Sequence, residues 1–290
     1  MKFGTYFAYW EHEWDCDYNK YIDKVKRLGF DVLEVAGAGL MSLDNAGLAA
    51  LRKRAADAGI KLTACIGLPK EYDVSSADDT VRKKGIAYLK AMFEKMEPAG
   101  IDLLGGIIYA YWPVDYSEPV DKPATRKRSM ESMQILGDSA KQHGITLALE
   151  TVNRFEQFLI NDSAEAVQFV KDIGRDNVKV MLDCFHMNIE EDNMGDAIRN
   201  AGKYLGHFHI GECNRKVPGK GHMAWAEMGE ALRDIDFDGC VVMEPFVTMG
   251  GGVGRDIKVW RDMSDNADEA KLDSDIAEAL RFVRKQFAGR

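Results

Sequence analysis

Gly144-Ile-Thr-Leu-Ala-Leu-Glu150 shows in one short run how this chain is put together. The glycine ends a helical stretch by supplying a left-handed residue. An apolar run follows with almost no loop and stops at a carboxylate, as a buried strand would. The same arrangement recurs at Gly29-Phe-Asp-Val-Leu-Glu-Val35, Gly59-Ile-Lys-Leu-Thr-Ala64 and Gly100-Ile-Asp-Leu-Leu-Gly-Gly106. The four glycines are separated by 30, 41 and 44 residues, the scale of one strand–helix unit.

Extending this pattern outward gives eight expected strands: Phe3–Ala8, Asp31–Val35, Lys61–Ile66, Ile101–Ile108, Ile145–Glu150, Val178–Asp183, Leu205–Ile210 and Cys240–Pro245. Helices are expected between them at Tyr18–Leu28, Leu43–Ala58, Ala77–Met96, Thr125–His143, Ser163–Ile173, Met194–Ala201 and Ala224–Ile235, with a last one at Ser274–Phe287. Ser42 and Ser163 are read as helix N-caps. Strands alternating with helices imply a parallel sheet, and eight units suggest an α/β fold closed as a single (β/α)8 TIM-type barrel. A doubly wound open sheet is the alternative. No linker or composition break interrupts residues 1–290, so one domain is expected.

The helix-to-strand connections are short. The strand-to-helix connections are longer and hold aromatic, acidic and glycine-rich residues: Tyr9–Asp17, Gly67–Ala77, Tyr109–Ala124, Thr151–Asp162, Gly211–Met223 and Phe246–Asp265. That asymmetry marks the C-terminal ends of the strands as the working face.

Composition narrows the function. At 46% hydrophobic and 29% charged, the 290-residue chain is ordinary for a globular protein with a sizeable core. A net charge of −9 offers no basic footprint for nucleic acid. No apolar run approaches the ~20 residues that span a bilayer, so no membrane partner is expected. The polar, acidic N-terminus does not read as a signal peptide. Five scattered cysteines with no C-x-x-C pair suggest neither a disulfide framework nor a zinc knuckle, and a cytoplasmic setting is expected.

Val178-Lys-Val-Met-Leu-Asp-Cys-Phe-His-Met-Asn-Ile-Glu-Glu191 turns the fold toward chemistry. Its apolar run stops at Asp183, and His186 follows three positions later in what reads as a loop. Four consecutive expected strands end in a potential ligand: Glu150, Asp183, His209 and Glu244, spaced by 33, 26 and 35 residues. In a barrel those ends converge. Three carboxylates brought together without a cation would repel one another and have raised pKa values. Three oxygen ligands with one imidazole form a hard, mixed site suited to Mn²⁺, Mg²⁺ or Co²⁺. His207 alternates with His209 on the same side of its strand and is read as a hydrogen-bonded core residue. Cys184 is read as buried filler.

Longer ordered matches then point to a family. Tyr-Trp-Glu-His-Glu-Trp (9–14), Tyr-Trp-Pro-Val-Asp (111–115), Glu-Thr-Val-Asn-Arg-Phe-Glu (150–156), Val-Met-Leu-Asp-Cys-Phe-His-Met-Asn-Ile-Glu-Glu (180–191), Gly-His-Phe-His-Ile-Gly-Glu-Cys-Asn-Arg (206–215), Pro-Gly-Lys-Gly (218–221), Met-Glu-Pro-Phe (243–246) and Ile-Lys-Val-Trp-Arg-Asp (257–262) resemble the D-psicose (D-allulose) and D-tagatose 3-epimerases, the ketose 3-epimerase family. The likeness runs nearly end to end.

The resemblance implies a metal-dependent isomerase that interconverts free ketohexoses at C3, D-fructose with D-psicose and D-tagatose with D-sorbose, through a cis-enediolate. It implies that Glu150, Asp183, His209 and Glu244 bind one divalent ion per subunit, Mn²⁺ first, with Co²⁺ or Mg²⁺ as alternatives. Glu150 and Glu244 would be the catalytic pair, one removing a proton and the other returning one to the opposite face. Glu156, His186 and Arg215 would hold the substrate, with Tyr6, Trp14, Trp112, Ile107 and Phe246 as apolar walls. Ile107–Ile108 and Ala64-Cys-Ile-Gly-Leu-Pro69 are bulkier than the small residues expected there, which bears on substrate preference. A homodimer or homotetramer is expected on the same likeness.

Two other classes compete. One is a related metal-dependent sugar or sugar-phosphate isomerase on the same barrel. Arg215 and Gly250-Gly-Gly-Val-Gly254 could cradle a phosphate after strands seven and eight, although these glycines are read as a mobile turn. A DNA-repair endonuclease would want more ligands and a basic groove. The other class is a non-catalytic sugar-binding barrel, which would be expected to lose one of the two glutamates.

Overall fold

The computed structural model describes residues 1–117 and 119–288. Eight parallel strands close on themselves in sequence order, which decides between the barrel and the open sheet. They are β1 (Lys2–Tyr6), β2 (Val32–Ala36), β3 (Lys61–Cys65), β4 (Leu103–Gly106), β5 (Thr146–Thr151), β6 (Val178–Asp183), β7 (Leu205–Ile210) and β8 (Cys240–Met243). The barrel closes where Gly4 of β1 pairs with Val242 of β8. No helix among the described residues is long and apolar enough to cross a membrane.

The helices start and stop for local reasons. The Asn45–Ala58 helix is capped by Asp44, whose carboxylate accepts from Gly47 N at 2.7 Å. It ends at Gly59, where φ is +67° and the N–H turns back to Ala56 O. Leu48, Leu51 and Ala55 face the sheet on its buried side. Asp162, not Ser163, caps Ser163–Ile173, and Ser42 donates to Gly39 O instead of capping. In both cases a nearby aspartate offers the stronger, charged acceptor.

Strand ends differ from expectation where the backbone has a reason. β4 stops at Gly106 rather than Ile108, because Gly106 sits at φ +104° with the Ile66 backbone against it. A Cβ there would lie 2.3 Å from Ile66 O, so only glycine allows this close turn. The turn carries Ile107 onto the cavity wall, with its carbonyl accepting from Leu68 N at 3.2 Å. β8 stops before Pro245, which has no N–H for a ladder. β1 gives way at Phe7–Tyr9 to a 3₁₀ turn.

Two loop expectations are overturned. Cys184–Glu190 is a helix, started by Asp183 accepting from Phe185 N at 2.8 Å. The glycine run expected as a mobile turn is the helix Gly251–Asp256. Its glycines allow close docking on the β1 loop: Val253 N donates to His12 O at 2.9 Å and Gly252 N to Glu13 Oε2 at 3.1 Å.

Candidate active site

The barrel assembles four donors at the C-terminal ends of β5 to β8. Asp183 and His209 are register partners at the ends of β6 and β7. Glu150 is the next-to-last residue of β5. Glu244 follows β8, held by its own N–H on Ile210 O at 2.9 Å. One donor atom from each lies within 4.8 Å of the other three. All four side chains are buried, with Glu150 and Glu244 reaching the cavity floor.

The electrostatics of this group suit a cation. Burial, with Glu244 beside it, pushes the Glu150 carboxyl well above its usual range. Burial opposes charge on Asp183 too, yet the Arg215 guanidinium and then His186 hold its carboxyl below the usual range. Burial alone would lower the His209 imidazole, but Glu34 and Glu244 hold it well above. His209 Nδ1 has no hydrogen-bond partner among the described residues and faces Glu244 Oε2 at 3.5 Å. An orphaned imidazole nitrogen amid three carboxylates is a donor set that fits a divalent ion with a taste for oxygen. Cys65 lies within the same 4.8 Å limit of His209 and Glu244. Burial and the nearby carboxylates push its thiol well above its usual range, so it stands there as a neutral wall.

Around the donors stand the groups expected to hold substrate. Arg215, at φ +62° in the loop after β7, sends Nη1 to Asp183 Oδ2 and Glu244 Oε2, both at 2.9 Å. Its guanidinium lies over Phe185, 3.9 Å from the ring centre. The loop is anchored by buried Glu212, which accepts from Gly219 N, Met223 N and Trp225 Nε1 at 2.7, 3.3 and 3.0 Å. His186 Nε2 lies 3.7 Å from Glu150 Oε1 and 3.8 Å from Asp183 Oδ2. Glu156 accepts from Trp112 Nε1 at 2.9 Å and from Asn153 Nδ2 at 3.0 Å.

These groups share one cavity of about 390 Å³. Tyr6, Trp14, Ile66, Ile107, Trp112 and Phe246 wall it, and Glu150, Glu156, His186, Arg215 and Glu244 reach into it. Every site residue expected from sequence therefore lies on the cavity or directly beneath it. Trp14 is held over it by a 2.9 Å hydrogen bond to Asp256.

Sequence reasoning missed Glu34. This β2 carboxylate is fully buried, with Oε1 2.5 Å from His209 Nε2 and Oε2 2.8 Å from His207 Nε2. Thr63 Oγ1 donates to Oε2 at 2.8 Å. Two imidazoles outweigh the cost of burial and keep its carboxyl well below the usual range. The available signal was a single charge inside Val32-Leu-Glu-Val-Ala36, a strand otherwise wholly apolar. Asn153 was also missed as a partner of His186.

Fold and site together define the class. Residues 22–284 match the family profile of the xylose isomerase-like TIM barrel. The chain is 52% identical over 289 residues to a D-psicose 3-epimerase of Agrobacterium fabrum, covering 100% of both chains. It superposes with a TM-score of 0.98 on a crystal structure of D-psicose 3-epimerase in the presence of D-fructose, at 52% identity and 100% coverage of both. A D-psicose 3-epimerase with D-tagatose from Clostridium cellulolyticum H10 gives a TM-score of 0.98 at 49% identity, covering 99% of each chain. The chain belongs to the D-psicose 3-epimerase family and is an isomerase of the ketose 3-epimerase kind.

Proposed function

We propose that the chain inverts C3 of free ketohexoses, interconverting D-fructose with D-psicose and D-tagatose with D-sorbose. The observation that carries this reading is the pair Glu150 and Glu244, which enter the cavity from β5 and from beyond β8 with β6 and β7 between them. A planar enediolate needs one proton carrier on each face. Glu150 and Glu244 reach into one buried cavity from either side of β6 and β7, so a carboxyl is at hand on each side of a sugar bound between them. Glu150 and Glu244 exchange these roles with the direction of reaction.

Glu150, Asp183, His209 and Glu244 would hold the ion, Mn²⁺ foremost and Co²⁺ or Mg²⁺ otherwise. When bound, it supplies Lewis-acid polarisation of the oxygens at C2 and C3. Arg215, His186 and Glu156 orient the polar edge of the sugar, and Trp14, Trp112 and Phe246 exclude water from its carbon face. The Gly251–Asp256 helix is engaged with His12 and Glu13 rather than open to a phosphate, which supports an unphosphorylated substrate.

We take residues 1–290 as one domain. The five cysteines are free thiols, in keeping with a reducing cytoplasm. Exposed Phe155 and Trp260 leave apolar surface for a second copy, in keeping with a homodimer or homotetramer.

Incubation with D-fructose, D-psicose or D-tagatose in heavy water tests the reaction. Deuterium is expected at C3 of substrate and product; deuterium confined to C1 would make the enzyme an aldose–ketose isomerase.

A further inference from the structure

We infer that Glu34 is a positioning residue for the ion site: its carboxylate fixes the His209 ring so that Nδ1, not Nε2, is the donor atom. The inference deepens the proposed function and rests on its assignment of His209.

A carboxylate only accepts hydrogen bonds, so the 2.5 Å contact between Glu34 Oε1 and His209 Nε2 places a proton on Nε2. When the ring gives up its second proton to serve as a ligand it keeps the one held on Nε2, so the lone pair is freed on Nδ1. That nitrogen is buried, has no hydrogen-bond partner among the described residues and is turned toward Glu244, inside the cluster of Glu150, Asp183 and Glu244. Glu34, His207 and His209 also lie close enough together to suggest an ion site of their own. The 2.5 Å separation of Glu34 Oε1 and His209 Nε2 is that of a direct hydrogen bond, which leaves Nε2 no lone pair for an ion.

Glu34 is itself held. Thr63, its register partner on β3, donates to Oε2 at 2.8 Å, and His207 Nε2 stands 2.8 Å from the same oxygen. Both oxygens are thus engaged in a site without water access, and the carboxylate cannot swing away from His209. A partner of this kind orients a ligating imidazole and raises its basicity.

The test is Mn²⁺ binding, read from the electron paramagnetic resonance of the free ion, with ¹⁵N-histidine spectra of the same proteins. Glu34→Gln keeps the shape and removes the charge. It should weaken Mn²⁺ binding by about 10- to 100-fold and abolish the low-field Nε2 proton of His209, identified by its absence in His209→Asn. Unchanged Mn²⁺ affinity together with an unchanged Nε2 resonance would overturn the inference. Thr63→Val, which removes one anchor of the carboxylate, should cost about threefold in affinity and carries the test if Glu34→Gln does not fold; there too, no change in either readout overturns it. If the wild-type chain binds no Mn²⁺, the proposed ion site fails. The resonance arm then decides separately whether Glu34 sets the ring.

Discussion

Asn153 grips His186 from two sides: its backbone N–H donates to Nδ1 at 3.2 Å and its side-chain amide approaches the same nitrogen at 2.8 Å. Nδ1 must therefore accept, which leaves the ring proton on Nε2, where Arg215 Nη2 stands at 3.4 Å and the Glu150 and Asp183 carboxylates at 3.7 and 3.8 Å. Burial lowers the readiness of this imidazole to take a second proton. His186 is a neutral donor to whatever oxygen lies in the cavity. Asn153→Asp replaces a donor with an acceptor and should turn or protonate the ring. We expect kcat/KM to fall by about tenfold, mostly through KM, with the melting temperature little changed. Steady-state kinetics on D-psicose measures it; native KM and kcat would show that the ring's tautomer does not matter.

Ion binding should be strongly pH-dependent. The carboxyl of Glu150 is pushed up by burial and by Glu244, and the His209 imidazole is held up by Glu34 and Glu244. Both groups keep a proton over a wider range than usual, and both must release it to serve as donors. As pH falls, protons compete more strongly, so the apparent Mn²⁺ affinity should drop and the drop should begin above the normal carboxylate range. Calorimetry in buffers of different ionisation heat should show protons released on binding at neutral pH. Binding that is flat with pH and releases no protons contradicts these assignments.

Gly67 meets the face of Trp112, where an added Cβ would lie 2.8 Å from a ring carbon. The Trp112 indole in turn holds Glu156 at 2.9 Å. Gly67→Ala should displace the ring and release Glu156, raising KM about three- to tenfold through the loss of one charged hydrogen bond. Retention of native KM would mean that the ring yields without moving Glu156.

The sequence pattern located β5, β6 and β8 well because each runs apolar and then meets a carboxylate, so strand ends and donors were marked by the same positions, whereas β7 was marked by histidines alternating with apolar residues. β4 was overextended because Ile107 and Ile108 continue the apolar run past Gly106, and only the neighbouring Ile66 backbone shows why the chain must turn there. The helix Cys184–Glu190 carries His186 on only seven residues, too few for an apolar stripe to register. Glu34 was hidden for a different reason. Its partners His207 and His209 lie far along the chain on β7, and their contact crosses the barrel interior, which no local periodicity reports.

The four donor-bearing strands form one unbroken arc of the barrel, while Tyr6, Ile66, Ile107 and Trp112 arrive from the other half of the chain. On the assignment proposed here, much of the apolar wall is inherited through a different stretch of the gene from the donors and from Glu156, His186 and Arg215. A chimera that takes its first half from a relative with a glutamate at the place of Glu34 would reshape that wall and leave the proton-moving pair where it stands. New preferences can then arise by drift in residues that carry no charge.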